Sequence, residues 1–430
     1  MGASDALTLD FSLAGIEAAT TAEGDQINGW FKQFQLRSHY QPIFSLSHRR
    51  AVGYEALVRP VDAQGKALSP LTLFDSIRCD EDLIFLDRLC RDIHVRNFLS
   101  AHDPDTWLFL NINPRVVVRA GQTAPFFQAL LDRYGIPASR IVVEILENEI
   151  ADEGQLAETV SYYASLGCLV AIDDFGAGYS NFDRIWRLGP DLVKLDRTML
   201  LQASTHARVR RVLPTLVSLL HETGCVTLIE GVETEEEALI ATDSGIDLVQ
   251  GYFFGRPAAT SHTAEHSDAQ LPDLCARFRD RYSDMRSRED DQLKPYIIEF
   301  RNCASLLSLG STLHDASRPF LGWPRALRCY LIDAEGRQVG PNVLSERAAR
   351  QSDVRFKPLA NVSNASWSRR PYFRRAVGDP GRIQTSRPYL SISDAQMCIT
   401  LSVTVDREGA RLVYCADLQW QDLDTLPPTP

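Results

Sequence analysis

Six short apolar runs punctuate the first 250 residues, and each ends in an acid, an amide or a lysine. They span residues 108–111, 141–144, 169–174, 192–194, 226–230 and 248–250, and close on Asn111, Glu144, the pair Asp173 and Asp174, Lys194, Glu230 and Gln250. Runs of this length, separated by stretches long enough for a helix, read as buried parallel strands in βα units. One strand ending in Asp or Asn is an ordinary turn or helix cap. Six in succession instead put polar groups at the carboxyl ends of parallel strands, where a parallel barrel carries its chemistry.

Charge sharpens the expectation. Glu55, Glu144, Asp173, Asp174 and Glu230, gathered at one barrel mouth, would repel one another, and packed carboxylates either take up protons or bind cations. Acids and the amide of Asn111 offer oxygen ligands that suit hard divalent ions, Mg²⁺ or Mn²⁺, rather than zinc. The adjacent pair Asp173 and Asp174 fits a site of two ions, since one carboxylate can bridge both. Lys194 lies inside an apolar run, where a lysine is costly unless it meets acids or phosphate. The expected chemistry is two-metal hydrolysis.

Longer segments carry a resemblance. Residues 54–59 contain Glu55, Ala56 and Leu57 followed by Arg59; Gln41 and Pro42 precede them, and Asn111 follows in a strand. Glu144 and Glu147 are spaced as Glu-x-x-Glu, and residues 173–180 read Asp-Asp-Phe-Gly-Ala-Gly-Tyr-Ser. Lys194 with Asp196, Glu230 with Glu233, and Gln250 through Arg256 and Pro257 complete the series. In this order the segments resemble the EAL domain family of cyclic-di-GMP phosphodiesterases, over roughly residues 28–260.

The resemblance implies a TIM-like (β/α)8 barrel and hydrolysis of cyclic-di-GMP to linear 5′-pGpG. It implies metal ligation by Glu55, Asn111, Glu144, Asp173, Asp174 and Glu230, with Asp173 as bridge and Asp174 on the second ion. Lys194 is implied in water orientation and phosphate charge; Glu230 stays open between ligand and general base. Glu147 and loop 175–180 are implied to position the second metal and couple it to a homodimer interface. Substrate contacts are expected from Gln41, Leu57, Arg59, Asp196, Gln250, Arg256 and Pro257, although Asp196 and Glu233 read equally as helix-proximal structural acids. The sequence departs from the family pattern at Ala177, Leu146, Ile229 and the pair Asn113–Pro114, none of them a ligand position. A receptor that binds the dinucleotide without turnover is the alternative reading.

At 430 residues the chain exceeds one barrel of about 250 residues, and 44% hydrophobic content can supply two cores. A formal charge of −11 argues against binding a nucleic-acid polymer. No apolar stretch approaches a membrane span or secretory signal, and a cytoplasmic location is expected. The nine cysteines are scattered, without a CxxC pair, and read mostly as buried reduced thiols. Residues 1–27 read as an N-terminal arm, with a short amphipathic helix near 30–36, and 28–260 as the barrel. Leu274, Phe278, Tyr282 and Met285 form one helical stripe in a connector over 261–300. Beyond it, residues 328–339 and 389–418 alternate as antiparallel strands do. The segment 367–376 followed by 386–389, with Trp367, Arg369, Tyr372, Arg374 and Tyr389, resembles the PAS-like or Cache-like sensory fold that follows the barrel in YkuI-type proteins. That resemblance implies a smaller α+β domain over 301–430 that receives a small-molecule or protein signal. The five residues themselves read as pocket lining or as core and rim.

Overall fold

The computed structural model describes residues 9–113, 116, 124–146, 153–178, 182–259, 271–350, 361–362, 364–392 and 396–420. These fall into two compact units divided between Asp280 and Arg281. The first contains β1 (Thr20–Glu23), β2 (Gln26–Phe31), β3 (Phe34–Ser45), β4 (Arg50–Val61), β5 (Trp107–Asn111), β6 (Ile141–Leu146), β7 (Leu169–Phe175), β8 (Leu192–Leu195), β9 (Val226–Ile229) and β10 (Leu248–Val249). Strands β4 to β10 pair in succession and in parallel, and β3 closes the ring between β10 and β4. The barrel expected from the sequence is present, with one strand reversed: β3 is antiparallel to both neighbours. The physical reason is the short connection 46–49, because parallel strands need a crossover of a dozen residues or more.

Strand pleating positions the site. Ile43, Phe109, Val142, Ala171, Leu192, Leu228 and Leu248, one from each of β3 and β5–β10, form a single buried cluster. On β4 the equivalent place is Gly53, where an added Cβ would lie 2.7 Å from the Phe109 ring. The glycine makes room for that ring. Side chains two residues apart on a strand share a face. The residues two steps towards the mouth are therefore Gln41, Glu55, Asn111, Glu144, Asp173, Lys194, Glu230 and Gln250. On β3 the count runs backwards because that strand is reversed. The alternate positions, among them Val143, Ile172, Val193 and Ile229, join the outer core.

Two readings of the N-terminal region need correction. Residues 30–36 are not a helix: Phe31 ends β2, Phe34 starts β3, and the two pair across a tight turn in which Lys32 has φ 52°. Their spacing imitates a helical face, yet it is the turn that brings both rings to one side. The preceding segment is not simply an arm, since it carries a helix, Leu13–Ala18, with Ile16 fully buried beside Phe31, Phe34 and Leu36.

The helix Asp80–Ala101 covers this edge, and His94 within it and His102 at its C-cap stay neutral. His94 is buried with its Nδ1 2.8 Å from Ser38 Oγ, and burial pushes its pKa down to about 3; burial likewise takes His102 to about 4. An unfolded chain protonates both near pH 6.5 while the folded barrel resists. This part of the stability is therefore complete above pH 6.5 and is lost as pH falls towards 4, by about 1.4 kcal/mol per pH unit for each proton. The melting temperature is expected to drop between pH 7 and pH 5; a flat profile across that window would contradict the assignment.

The helix Leu271–Ser308 spans the division between the units. Leu274 and Phe278 join the barrel core, whereas Tyr296, Phe300, Cys303 and Leu307 pack on the second unit's sheet. The side chains of Tyr282 and Met285 lie outside the described residues. That sheet runs β12 (Gln338–Leu344), β11 (Ala326–Ile332), β16 (Ala410–Gln419), β15 (Met397–Arg407), β13 (Gln384–Thr385), with β14 (Tyr389–Leu390) also on β15. Every pairing is antiparallel, as the alternation in sequence predicts. All nine cysteines are free and six are buried. Among the described residues, no helix is long and apolar enough to cross a membrane.

Candidate active site

Lys194 occupies the middle of the acidic mouth. Its ammonium lies 2.5 Å from Glu144 Oε1 and 3.2 Å from Asp173 Oδ1, and also contacts Glu230 Oε1. The side chain is 1% exposed. Burial alone would depress its pKa, but the carboxylates overcome that and hold it well above the ordinary lysine value. Burial drives Glu144 well above the usual carboxylate range, against the pull of Lys194. Burial also raises Glu230 to about 8. One ammonium does not balance these acids.

Glu55 anchors the other side. Its Oε1 accepts from Asn111 Nδ2 at 2.9 Å and its Oε2 from Gln250 Nε2 at 2.7 Å. Gln41 Nε2 donates to the Gly255 carbonyl at 3.0 Å, and its Oε1 is 3.4 Å from Gln250 Nε2. Gly255 and Gly251 are there for want of a side chain: a Cβ would meet Pro42 at 2.6 Å and the Val232 carbonyl oxygen at 2.1 Å, respectively. Asp173 Oδ1 accepts from the Asp174 N–H at 2.9 Å, and Asp174 takes φ 58°. A non-glycine residue in that region is uncommon, with Asn and Asp the best tolerated. Asp174→Asn is therefore expected to leave the melting temperature within a degree or two of wild type while lowering any metal-dependent turnover on the order of a hundredfold. A large fall in melting temperature would mean that the carboxylate is structural.

Two overlapping triads offer one oxygen each within 4.8 Å of one another, Glu55–Glu144–Glu230 and Asp173–Asp174–Glu230. Glu144 Oε2 and Gln250 Oε1 are buried without a hydrogen-bond partner, and such orphans are rare unless an ion or water completes them. Excess buried carboxylate, orphaned oxygens and an all-oxygen donor set fit hard divalent cations. In this geometry Glu230 is the residue common to both triads.

The remaining predicted residues divide. Leu57, Arg59 and Asn111 line a cleft of about 610 Å³ beside the mouth. Arg59 is half-buried, and its guanidinium donates to the Val58 carbonyl at 3.0 Å, with no carboxylate partner among the described residues. Asp196 caps the helix Arg197–Thr205 through the Thr198 N–H at 2.9 Å, and Glu233 pairs with Arg197 at 2.5 Å. Arg256 stacks 4.3 Å from the Tyr252 ring centroid, with Pro257 beside it in the chain. Glu147, Tyr179 and Ser180 lie outside the described residues. The sequence reading missed Asp87 and Arg91, a buried pair 2.6 Å apart that lines the same cleft and reaches the Asn113 N–H at 3.5 Å. Their i,i+4 spacing on one helix was the available signal.

Fold and site together define a parallel-type β/α barrel whose mouth is a buried carboxylate cluster organised around one lysine. The EAL domain profile matches residues 25–257, and the chain belongs to the EAL domain family. It is 27% identical over 402 residues to the uncharacterized EAL-domain containing protein YkuI of Bacillus subtilis, covering 86% of this chain and 91% of that protein. It is 28% identical over 236 residues to the cyclic di-GMP phosphodiesterase RocR of Pseudomonas aeruginosa, covering 54% and 60%. A protein of Azorhizobium caulinodans is 32% identical over 240 residues, and the match spans 31% of its length. The crystal structure of YkuI in complex with substrate cyclic-di-GMP and calcium superposes with a TM-score of 0.74 at 24% identity, over 90% of this chain and 96% of that one.

Proposed function

We propose that the barrel hydrolyses cyclic-di-GMP to linear 5′-pGpG with the help of two divalent cations. The observation that carries this reading is the ring of inward residues two steps above the buried apolar cluster, in which four acids and three amides meet one buried lysine. Glu55, Glu144 and Glu230 would hold one ion, and Asp173, Asp174 and Glu230 the other, with Asn111 beside Glu55. Bound there, Mg²⁺ or Mn²⁺ would polarise the phosphate and lower the pKa of the attacking water.

The chain's own residues would do the rest. Arg59, with no carboxylate within ion-pair distance among the described residues, presents a guanidinium fork to the phosphate oxygens. Water attacks phosphorus as the bond to the ribose 3′-oxygen breaks; Glu230, a quarter exposed, serves as a ligand, the water's proton leaves to solvent and the departing oxygen gains one from it. Lys194 offsets charge building on the phosphate, the main demand of phosphoryl chemistry. Similarity to a named cyclic di-GMP phosphodiesterase supports the substrate. The test is chromatography of cyclic-di-GMP incubated with the protein in Mg²⁺, Mn²⁺ or EDTA. We expect pGpG with either metal, none with EDTA, and at least about a hundredfold loss in Glu55→Ala. Tight binding without turnover in either metal would instead make this chain a receptor.

A further inference from the structure

The sheet of the second unit has two buried faces of opposite character. One, packed against the long helix, is apolar: Leu331, Ile399, Leu401, Ala416 and Leu418. The other places Arg328, Asp417 and Thr400 side by side across β11, β16 and β15, with residue exposures of 5%, 3% and 0%. A core gains nothing from such groups, since burying them is costly unless each is paired. They are paired: Asp417 Oδ2 forms an ion pair with Arg328 Nε at 3.0 Å, and its Oδ1 accepts from Thr400 Oγ1 at 2.7 Å. A sheet face built at that cost borders a cavity of about 310 Å³, partly open to solvent, whose walls include Tyr330, Trp367, Tyr372 and Tyr389. The 310 Å³ includes open solvent, and the space a water can enter is about 20 Å³, room for a single water, so an occupant must be small and lie mostly in the open part.

Charge identifies its class. Among the described lining residues Asp417 and Arg328 cancel, which leaves Arg370 as the uncompensated cation there. Arg370 is half-buried, lies 5.6 Å from the Tyr389 ring centroid, and has no carboxylate partner among the described residues. It is also the N-cap of the helix Pro371–Gly378 and makes no side-chain cap there, so the positive end of the helix dipole adds to its field. We propose that this cavity binds a small organic monocarboxylate, with the carboxylate on Arg370 and its short apolar part against Tyr372 and Tyr389.

Calorimetric titration of the full chain with sodium propionate, pyruvate and benzoate, against propionamide, inorganic phosphate and sodium chloride at matched ionic strength, tests the proposal. Saturable binding of at least one of the three carboxylates is expected. Its affinity should fall about tenfold or more in Arg370→Gln, which keeps hydrogen-bond donors but loses the charge, and stay unchanged in the exposed neighbour's variant Arg369→Gln. Circular dichroism checks that both variants fold. The idea is overturned if none of the three carboxylates binds, if propionamide or phosphate binds as well as they do, or if Arg370→Gln binds normally. The readout involves no hydrolysis, so it stands apart from the barrel's proposed reaction.

Discussion

Lys194→Met is expected to cut the proposed cyclic-di-GMP hydrolysis on the order of a thousandfold and to destabilise the metal-free barrel selectively. The ammonium touches Glu144, Asp173 and Glu230 from a position that is 1% exposed, so it serves as counterion to the whole cluster. Methionine keeps the length of the chain and removes the charge. Breaking a buried ion pair from one side costs about 3–5 kcal/mol, because the abandoned charge stays buried. Divalent cations can supply the missing charge, since anything that binds only the folded state stabilises it. The melting temperature of the variant should therefore fall well below wild type in EDTA and recover much of the gap in Mn²⁺. An equal deficit in both conditions would show that Lys194 acts by packing alone.

Glu144→Gln should show the opposite sign in the metal-free protein. Glu144 is 1% exposed, one of its oxygens has no hydrogen-bond partner, and burial holds its carboxyl well above the usual range. Several acids share one lysine, so an amide in this place removes surplus charge while the Glu230 and Asp173 contacts to Lys194 persist. In EDTA the variant is expected to melt at or above the wild-type temperature. Its Mn²⁺-induced rise in melting temperature should shrink, and turnover should drop on the order of a hundredfold or more. A functional site that is costly to fold has this signature. A marked loss of stability in EDTA would mean that the Glu144–Lys194 pair is a structural brace.

Much of the barrel was legible because its signals are local. Each of the six apolar runs lies in a strand or contains one, since residues buried on both faces must be apolar throughout their length. The polar residue closing each run reaches the mouth because a strand delivers every second side chain to the same face. Gln41 and Glu55 were harder to read, lying in the middle of the long strands β3 and β4 rather than at strand ends. Their motif alone marked them. The misreading of 30–36 as a helix came from the same kind of local pattern, because Phe31 and Phe34 satisfy a helical spacing and a hairpin equally. Asp87 and Arg91 went unnoticed for a related reason: an i,i+4 acid and base on a helix usually face solvent.

Strand order, the eight-membered polar ring and the surplus of acids over lysines were therefore contained in the sequence, because pleating and hydrophobic burial act between near neighbours. The reversal of β3, the sharing of Lys194 among three carboxylates, the orphaned oxygen of Glu144 and the polar inner face of the second sheet were decided by the tertiary structure. Each depends on which distant residues meet across a closed ring or between strands, and on how far water is excluded where they meet. Spacing along the chain sets neither.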